Sequence, residues 1–197
     1  MGASSSVSEE RHSRRGFFRE VVKRYVEPVS EDLDAKAHPS PLVILRPPGA
    51  LSEMEFLNIC ERCYACVEAC PADAIRPIKV DGPLTGTPGI VAQEQPCVVC
   101  SNLDCMTACP SGALVVTARH EIDLGVAVFS TDQCLRTQGE SCRHCVDFCP
   151  LGASAIEIDE RDGISVLDGC IGCGVCEQAC PTSPKAIRVL PRESLDV

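Results

Sequence analysis

Sixteen cysteines dominate the chemistry that this sequence of 197 residues could perform, and they fall into four groups of four. Every group ends in Cys-Pro, and no cysteine lies outside the groups. Thiols at this density bind zinc, bind iron–sulfur clusters or form disulfides. In chain order, the first to fourth cysteine groups are Cys60, Cys63, Cys66, Cys70; Cys97, Cys100, Cys105, Cys109; Cys134, Cys142, Cys145, Cys149; and Cys170, Cys173, Cys176, Cys180.

The spacing within the groups favours [4Fe–4S] clusters. The first and fourth groups follow C-x2-C-x2-C-x3-C-P, the bacterial ferredoxin run, and the other two carry longer gaps of four and seven residues. Three thiolates in one tight loop can each reach a different iron of a cubane, whereas they would crowd a single tetrahedral zinc ion. Cysteines three residues apart are also poor partners for distant disulfides. We therefore expect all sixteen cysteines to be metal ligands of four [4Fe–4S] clusters.

The last cysteine of each group is expected to open a helix. The proline that follows it suits the first helical position, where a missing N–H has no intrahelical partner anyway. This geometry would point the last thiolate away from its own loop, and in two-cluster ferredoxins that cysteine ligates the other cluster. Small residues such as Gly172 and Gly174 would let backbone N–H groups turn toward the sulfurs. His144, between Cys142 and Cys145, is expected at the surface.

The segments between the groups predict short helices and strands, and hence an α+β fold. Each Cys-Pro is followed by a stretch of small and apolar residues, namely ADAI, SGAL, LGASAI and TSPKAI. Residues 155–167, AIEIDERDGISVL, alternate apolar and polar residues around a central Asp-Gly, which predicts a hairpin. The Pro/Gly-rich connection IRPIKVDGPLTGTPG is expected to be extended.

Composition excludes several classes of protein. With two Tyr, five Phe and no Trp, the chain cannot rely on a conventional apolar core. Clusters are expected to supply the cohesion, so the cluster-free chain should be unfolded or molten. A net charge of −10 argues against nucleic acid, which requires a basic surface. No run of 18 apolar residues occurs, so no membrane span is expected.

Residues 1–40 lack cysteine and are interpreted as an N-terminal arm in front of a cluster-binding domain at 41–197. The arm contains SRRGFFR, which resembles a twin-arginine export signal, but residues 20–42, which follow it, contain no apolar run longer than two residues. A cytoplasmic protein is therefore expected. The same segment predicts an amphipathic helix at about 14–27, capped by Ser13 and ended by Pro28. That helix could pack on the chain's own core or dock on a partner.

Several motifs outside the cysteines resemble the MauM/NapG ferredoxin-type proteins and their relative NapF. They are LRPPGA at 45–50, GTP at 86–88, CPSGAL at 109–114, GVAV at 125–128 and AIRVLP at 186–191. The resemblance covers about residues 42–192. It implies a polyferredoxin of two pseudo-symmetric, bacterial-ferredoxin-like dicluster halves, which exchanges electrons with a larger redox system, often a molybdenum enzyme or a quinol-oxidising chain.

The pairing of the groups is less constrained by sequence. The four-cluster electron-transfer subunits of molybdenum enzymes, which this chain resembles through its second group, nest the first group with the fourth and the second with the third. Nesting is therefore favoured, and consecutive pairing stays open. Nesting would give Cys60, Cys63, Cys66 with Cys180; Cys170, Cys173, Cys176 with Cys70; Cys97, Cys100, Cys105 with Cys149; and Cys134, Cys142, Cys145 with Cys109.

The expected function is electron transfer, because a cluster with four cysteine ligands has no open iron site for substrate. No phosphate loop, dinucleotide fingerprint or catalytic triad occurs, so no catalytic residue and no enzyme activity of the chain alone is expected. The resemblance implies a catalytic partner, which would be a molybdenum or tungsten enzyme. It also implies a second electron donor or acceptor such as a flavoprotein or ferredoxin. A maturation factor for a molybdenum enzyme and a free polyferredoxin are the alternatives.

Overall fold

The computed structural model describes residues 43–161 and 163–192. Leu42–Val197 forms one compact unit. The predicted arm and its helix at about 14–27 lie outside the described residues. In the described chain, no helix is both long enough and apolar enough to cross a membrane.

Short elements follow one another in two halves, the first ending at residue 118. The first half contains helices α1 (Glu53–Ile59), α2 (Ala65–Glu68) and α3 (Asp104–Thr107) and strands β1 (Arg76–Pro77) and β2 (Pro88–Gly89). The second half contains helices α4 (His144–Asp147) and α5 (Val175–Ala179) and strands β3 (Val126–Phe129), β4 (Ile156–Ile158), β5 (Ile164–Val166) and β6 (Ile187–Leu190). Three 3₁₀ turns complete it: Arg119–Glu121, Thr131–Gln133 and Gly152–Ser154.

Both halves use the same pairing scheme. Between the two cysteine groups of a half, the chain forms an antiparallel pair, β1 with β2 and β4 with β5. The segment before the first group of a half pairs with the segment after the second, as β3 with β6 in the second half and the bridge between Ala50 and Leu114 in the first. Each half therefore closes on itself.

The predicted hairpin at 155–167 is confirmed, since β4 and β5 pair antiparallel from Ile156 opposite Val166 to Ile158 opposite Ile164. The Pro/Gly-rich connection is not simply extended, because it turns back so that β1 pairs with β2. Two of the four paired residues are prolines, which cannot donate to the ladder, and this limits the pair to two residues on each side. The pair is extended by the Ile78 N–H donating to the Thr87 carbonyl at 2.9 Å.

The predicted position of the helices was wrong. Helices α2, α3, α4 and α5 contain or directly precede the third cysteine of a group, and the last cysteine ends the helix or follows it. Cys180, for example, is extended with φ −65° and ψ 122°. Proline disfavours helical backbone at the residue before it, so Cys-Pro ends each helix.

The core is aliphatic, as the composition requires. Its most deeply buried apolar side chains include Leu45, Phe56, Ile75, Ile90 and Ile187. The guanidinium of Arg46 lies 4.6 Å from the Phe56 ring centroid and forms a two-bond ion pair with Glu53. Cysteines complete this core, since seven of the sixteen are buried: Cys66, Cys97, Cys105, Cys134, Cys173, Cys176 and Cys180.

Candidate metal centres

The cysteine loops use left-handed backbone at the residues between cysteines. Gly172 and Gly174 have φ +70° and +90°, as their small size predicted. The matching positions of the first group are Arg62 and Tyr64, at φ 55° and 64°. Residues other than glycine rarely adopt this backbone conformation. The geometry of the loop therefore overrides the local backbone preference of Arg62 and Tyr64.

Four thiols gather at each of four places, which we call the first to fourth sets. In every set, three thiols come from one cysteine group and the last comes from the other group of the same half. The sets are Cys60, Cys63, Cys66, Cys109; Cys70, Cys97, Cys100, Cys105; Cys134, Cys142, Cys145, Cys180; and Cys149, Cys170, Cys173, Cys176.

Three of the sets line cavities of nearly equal size. These cavities open partly to solvent, and the space between atoms in them is about 350, 330 and 340 Å³ at the second, fourth and third sets respectively. The other lining residues are mostly small and aliphatic, and no carboxylate is among the described residues that line these cavities. His144 stands at the rim of the third cavity, is exposed as expected, and stacks on Phe148 with ring centroids 6.1 Å apart.

The first set is recognised because its thiols are close enough to shift the pKa of one another. Burial, and then the neighbouring thiols of Cys109, Cys60 and Cys63, raise the pKa of Cys66 to about 11. Burial also raises the pKa of Cys105 and Cys173 to about 12, with further contributions from neighbouring thiols. Protons must leave these thiols before they bind metal, so loading of the sites releases protons.

Nested pairing is wrong for this chain. Cys70 lies with the second group and Cys180 with the third, whereas nesting would place them with the fourth and first groups. The physical reason is the short antiparallel pair inside each half, which brings consecutive cysteine groups together. The consecutive alternative is the one the structure adopts.

None of the four sets is grouped like the ligands of a single metal ion. Among residues 43–161 and 163–192, no three His, Cys, Asp or Glu side chains are grouped tightly enough to hold a single metal ion. In a cubane, each thiolate binds a different iron, so the four thiols stand further apart than the ligands of one ion. All sixteen thiols are free of disulfide bonds.

Two sets contain a thiol whose pKa is lowered, against the effect of burial. Burial would raise the pKa of Cys109, but hydrogen bonds from the Leu114 N–H and from Ser111 lower it below its ordinary value. The pKa of Cys180 is likewise lowered, despite burial, by hydrogen bonds from Thr182 and nearby backbone N–H groups. Ser111 and Thr182 were not among the predicted site residues, although both stand two positions after a cluster cysteine in Cys-Pro-Ser and Cys-Pro-Thr.

The two halves meet at the second and fourth sets. The Cys97 N–H donates to the Cys173 carbonyl at 3.0 Å. A Cβ on Gly174 would stand 2.4 Å from the Ala92 Cβ, so only glycine permits this approach.

A buried carboxylate, also missed from sequence, joins the halves beside the fourth set. Glu177 has an exposed fraction of 2%. It accepts hydrogen bonds from the Gln93 side chain of the first half at 2.8 Å and from the Val189 N–H at 2.7 Å. Buried charges need such partners, so this contact fixes the two halves against each other.

Comparison with known proteins agrees with this arrangement. Residues 59–113 match a family model described as a 4Fe-4S dicluster domain, and residues 127–181 match another model of the same description. Each match spans two consecutive cysteine groups, as in the four sets. Two dicluster domains with sixteen cysteines fit four [4Fe–4S] clusters.

The methylamine utilization ferredoxin-type protein MauM of Methylobacillus flagellatus is 38% identical over 206 residues, covering 96% of this chain and 88% of MauM. The chain belongs to the MauM/NapG family. MauM of Methylorubrum extorquens is 42% identical, covering 88% of this chain and 80% of the relative. The ferredoxin-type protein NapG of Escherichia coli is 34% identical, covering 95% and 89%.

Membership of the MauM/NapG family makes this chain a ferredoxin-type iron–sulfur electron-transfer protein built from two tandem dicluster domains. The expected resemblance is thereby confirmed. Among solved structures, a formate dehydrogenase – heterodisulfide reductase – formylmethanofuran dehydrogenase complex from Methanospirillum hungatei overlaps 83% of this chain and 56% of its own, at 24% identity. Its TM-score of 0.28 is too low to relate the two folds.

Proposed function

We propose that the sixteen cysteines ligate four [4Fe–4S] clusters, one in each set, and that the protein carries electrons through them to or from a larger oxidoreductase. The observation that carries this proposal is the gathering of thiols in fours, in three of the four sets around similar, carboxylate-free cavities. A [4Fe–4S] cluster with four cysteine ligands accepts or releases one electron and offers no open iron site. The chain's role is then to hold, space and insulate the clusters.

The proposed route runs from the first set to the second, then to the fourth and the third. Within a half, the two sets exchange their last cysteines, so they are neighbours. Between the halves, the second and fourth sets are joined by the hydrogen bond from Cys97 to Cys173, and the Cys97 thiol contributes to the raised pKa of Cys173 after burial and Cys149. The first and third sets then form the two ends.

The two proposed ends differ in charge, which favours two different partners. Cys63 of the first set is the one cysteine of the sixteen that is exposed. The segment around it, residues 53–70, carries four Glu and one Arg. The segment of the third set, residues 134–149, carries two acidic and two basic residues. We propose that a partner with a basic rim meets the first set, since such rims speed association with acidic surfaces.

The larger partner is proposed to be the catalytic subunit of a molybdenum or tungsten enzyme. A flavoprotein or ferredoxin would be the second electron donor or acceptor. Support comes from the resemblance of this chain to the MauM/NapG-type proteins, which implies electron exchange with such an enzyme. The pairing scheme repeated in both halves supports their proposed pseudo-symmetry as bacterial-ferredoxin-like units. We also propose a cytoplasmic location, because residues 20–42 after SRRGFFR contain no apolar run longer than two residues.

Redox titration of the anaerobically purified protein tests the proposal. We expect about 16 iron and 16 sulfide per chain, as four cubanes require, and four one-electron centres with [4Fe–4S] spectra. Fewer than four reducible centres would contradict the proposed electron-transfer route through all four sets. A maturation factor is distinguished by purification, since it would bind the immature partner enzyme and be missing from the active complex.

A further inference from the structure

Two hydroxyl groups touch the sulfur of a cluster cysteine. The Ser111 Oγ lies 3.6 Å from the Cys109 Sγ, and the Thr182 Oγ1 lies 3.2 Å from the Cys180 Sγ. Both hydroxyls stand two residues after the last cysteine of a group, in Cys-Pro-Ser and Cys-Pro-Thr. The same contact is thus built twice, once in each half.

The surrounding backbone directs the hydroxyl proton to sulfur. The Thr182 Oγ1 accepts the Ala186 N–H at 2.9 Å, and the Ser111 Oγ accepts the Ala113 N–H at 3.4 Å. Each oxygen is therefore already an acceptor. A metal-bound thiolate has no proton to give, so the hydroxyl must be the donor.

The other two sets lack this contact by sequence. The corresponding positions, two residues after Cys70 and Cys149, are Ala72 and Leu151, which have no hydroxyl. Because last cysteines are exchanged within a half, Cys109 belongs to the first set and Cys180 to the third. The hydroxyls therefore serve the two ends of the proposed route, and the two inner sets have none at this position.

We propose that Ser111 and Thr182 raise the reduction potentials of the two end clusters relative to those of the inner ones. This inference rests on the proposed function, because it needs a cluster in each set. Reduction adds one electron to a cluster and makes its sulfurs more negative, so a donor to sulfur stabilises the reduced form. No bond forms or breaks, and the hydroxyl proton stays on oxygen.

The consequence is an uneven distribution of electrons along the chain. A single electron resides on an end cluster, beside a partner, and passes through the inner clusters only briefly. The hydroxyls act through the cysteine sulfur, which makes them positioning residues and not ligands.

The test is a redox titration of the full holo protein, followed by electron paramagnetic resonance. Ser111→Ala and Thr182→Val each remove one hydroxyl. We expect each to lower the midpoint potential of one centre, a different one in each variant, and to leave the other three unchanged. A tenfold rise in that centre's oxidised-to-reduced ratio at fixed potential corresponds to about 59 mV.

Matched controls separate hydrogen bonding from packing. Ser111→Thr and Thr182→Ser keep the hydroxyl and should restore the native potentials. Ala72→Ser adds a hydroxyl beside Cys70 and should raise the potential of an inner centre.

If the four centres remain and no midpoint moves in Ser111→Ala or Thr182→Val, the inference is wrong while the proposed function stands. If the native protein has fewer than four reducible centres, the proposed function itself fails. If a variant loses a centre, Ala72→Ser decides instead. Unchanged midpoints of all four centres in Ala72→Ser would then contradict the inference.

Discussion

Four non-glycine residues within the first two cysteine groups have left-handed backbone. Arg62, Tyr64, Val99 and Leu103 have φ of 55°, 64°, 51° and 53°. Each such residue costs roughly 1–2 kcal/mol relative to ordinary backbone. The loops keep this conformation because it brings their thiols together, and we expect cluster binding to offset the strain.

Tyr64 offers the cleanest test of that strain, because it is 39% exposed whereas Arg62 is half-buried and Val99 and Leu103 are buried, so less packing is lost on its removal. Tyr64→Gly should stabilise the holo protein by up to about 1 kcal/mol, since glycine relieves the strain but adds some disorder to the unfolded chain. The thermal midpoint, measured anaerobically by the loss of cluster absorbance, should rise.

Glu61→Gly is the matched control, because the exposed Glu61 is not among the residues with positive φ. It should lower the midpoint slightly through backbone entropy alone. If both variants lowered the midpoint equally, strain at Tyr64 would be refuted.

For single residues, the cysteine spacing predicted which thiols bind clusters. It did not predict which set of thiols the last cysteine of each group joins. The first three thiols of a group are placed by the local run C-x2-C-x2-C. The set that the last cysteine joins depends on how each half folds. The hydroxyls of Ser111 and Thr182 were visible in the sequence as the difference between Cys-Pro-Ser and Cys-Pro-Ala. Only the distances from these hydroxyl oxygens to the cysteine sulfurs show that the two groups are in contact.

Among the elements, the β4–β5 hairpin depends on one carboxylate. Asp159 accepts the N–H groups of Arg161 and Gly163 at 2.8 and 2.9 Å. These backbone hydrogen bonds, first that of Gly163 and then that of Arg161, lower the pKa of Asp159. A lowered folded-state pKa stabilises the fold above the ordinary pKa, and this stability is lost as pH falls through the folded value.

We therefore predict that Asp159→Ala lowers the thermal midpoint of the holo protein at neutral pH. The difference from the native protein should shrink as pH falls toward the range in which Asp159 is protonated. Asp159→Asn keeps an acceptor for the two N–H groups, so it should lose less stability and show less of this pH dependence. A deficit in Asp159→Ala that is constant with pH would contradict the role of the charge.

Alternating apolar residues predicted this hairpin correctly because their period of two is a local property. The helices were misplaced because two effects of proline compete. Proline is tolerated at a helix start, yet it also forces the residue before it away from helical backbone. Around these cysteines the second effect wins.

For the molecule as a whole, Glu177 is the residue whose loss should loosen the two halves. Glu177→Ala would leave the buried Val189 N–H without its acceptor and would release the Gln93 side chain. An unsatisfied buried donor costs about 1–3 kcal/mol, which lowers the thermal midpoint by several degrees in a chain of this size.

Gln178→Ala is the control from the same helix. Gln178 is exposed, and its side chain donates to the Glu94 carbonyl at 3.2 Å. Its removal should change stability by less than about 0.5 kcal/mol. Gln178 also contacts the first half, but at the surface, so equal effects of the two substitutions would show that the buried Glu177 joins the halves no more strongly than this exposed contact does.

The wrong expectation of nesting also belongs to this scale. Nesting came from resemblance to a wider class of proteins, and nothing in the cysteine spacing distinguishes the two pairings. The deciding features are the two-residue β1–β2 pair and the β4–β5 hairpin, which return the chain at once to the partner group. Only one of these two pairs was expected as a hairpin.

Closure of each half on itself also has a consequence for how the protein is made. All eight cysteines of the first half precede residue 110, and the bridge that closes that half ends at Leu114. Domains made on the ribosome commonly fold from the N-terminus as units. The first two sites can thus be complete, and ready to receive iron and sulfide, while the second half is still being synthesised. Glu177 then joins the halves only after the last cysteine group has been translated.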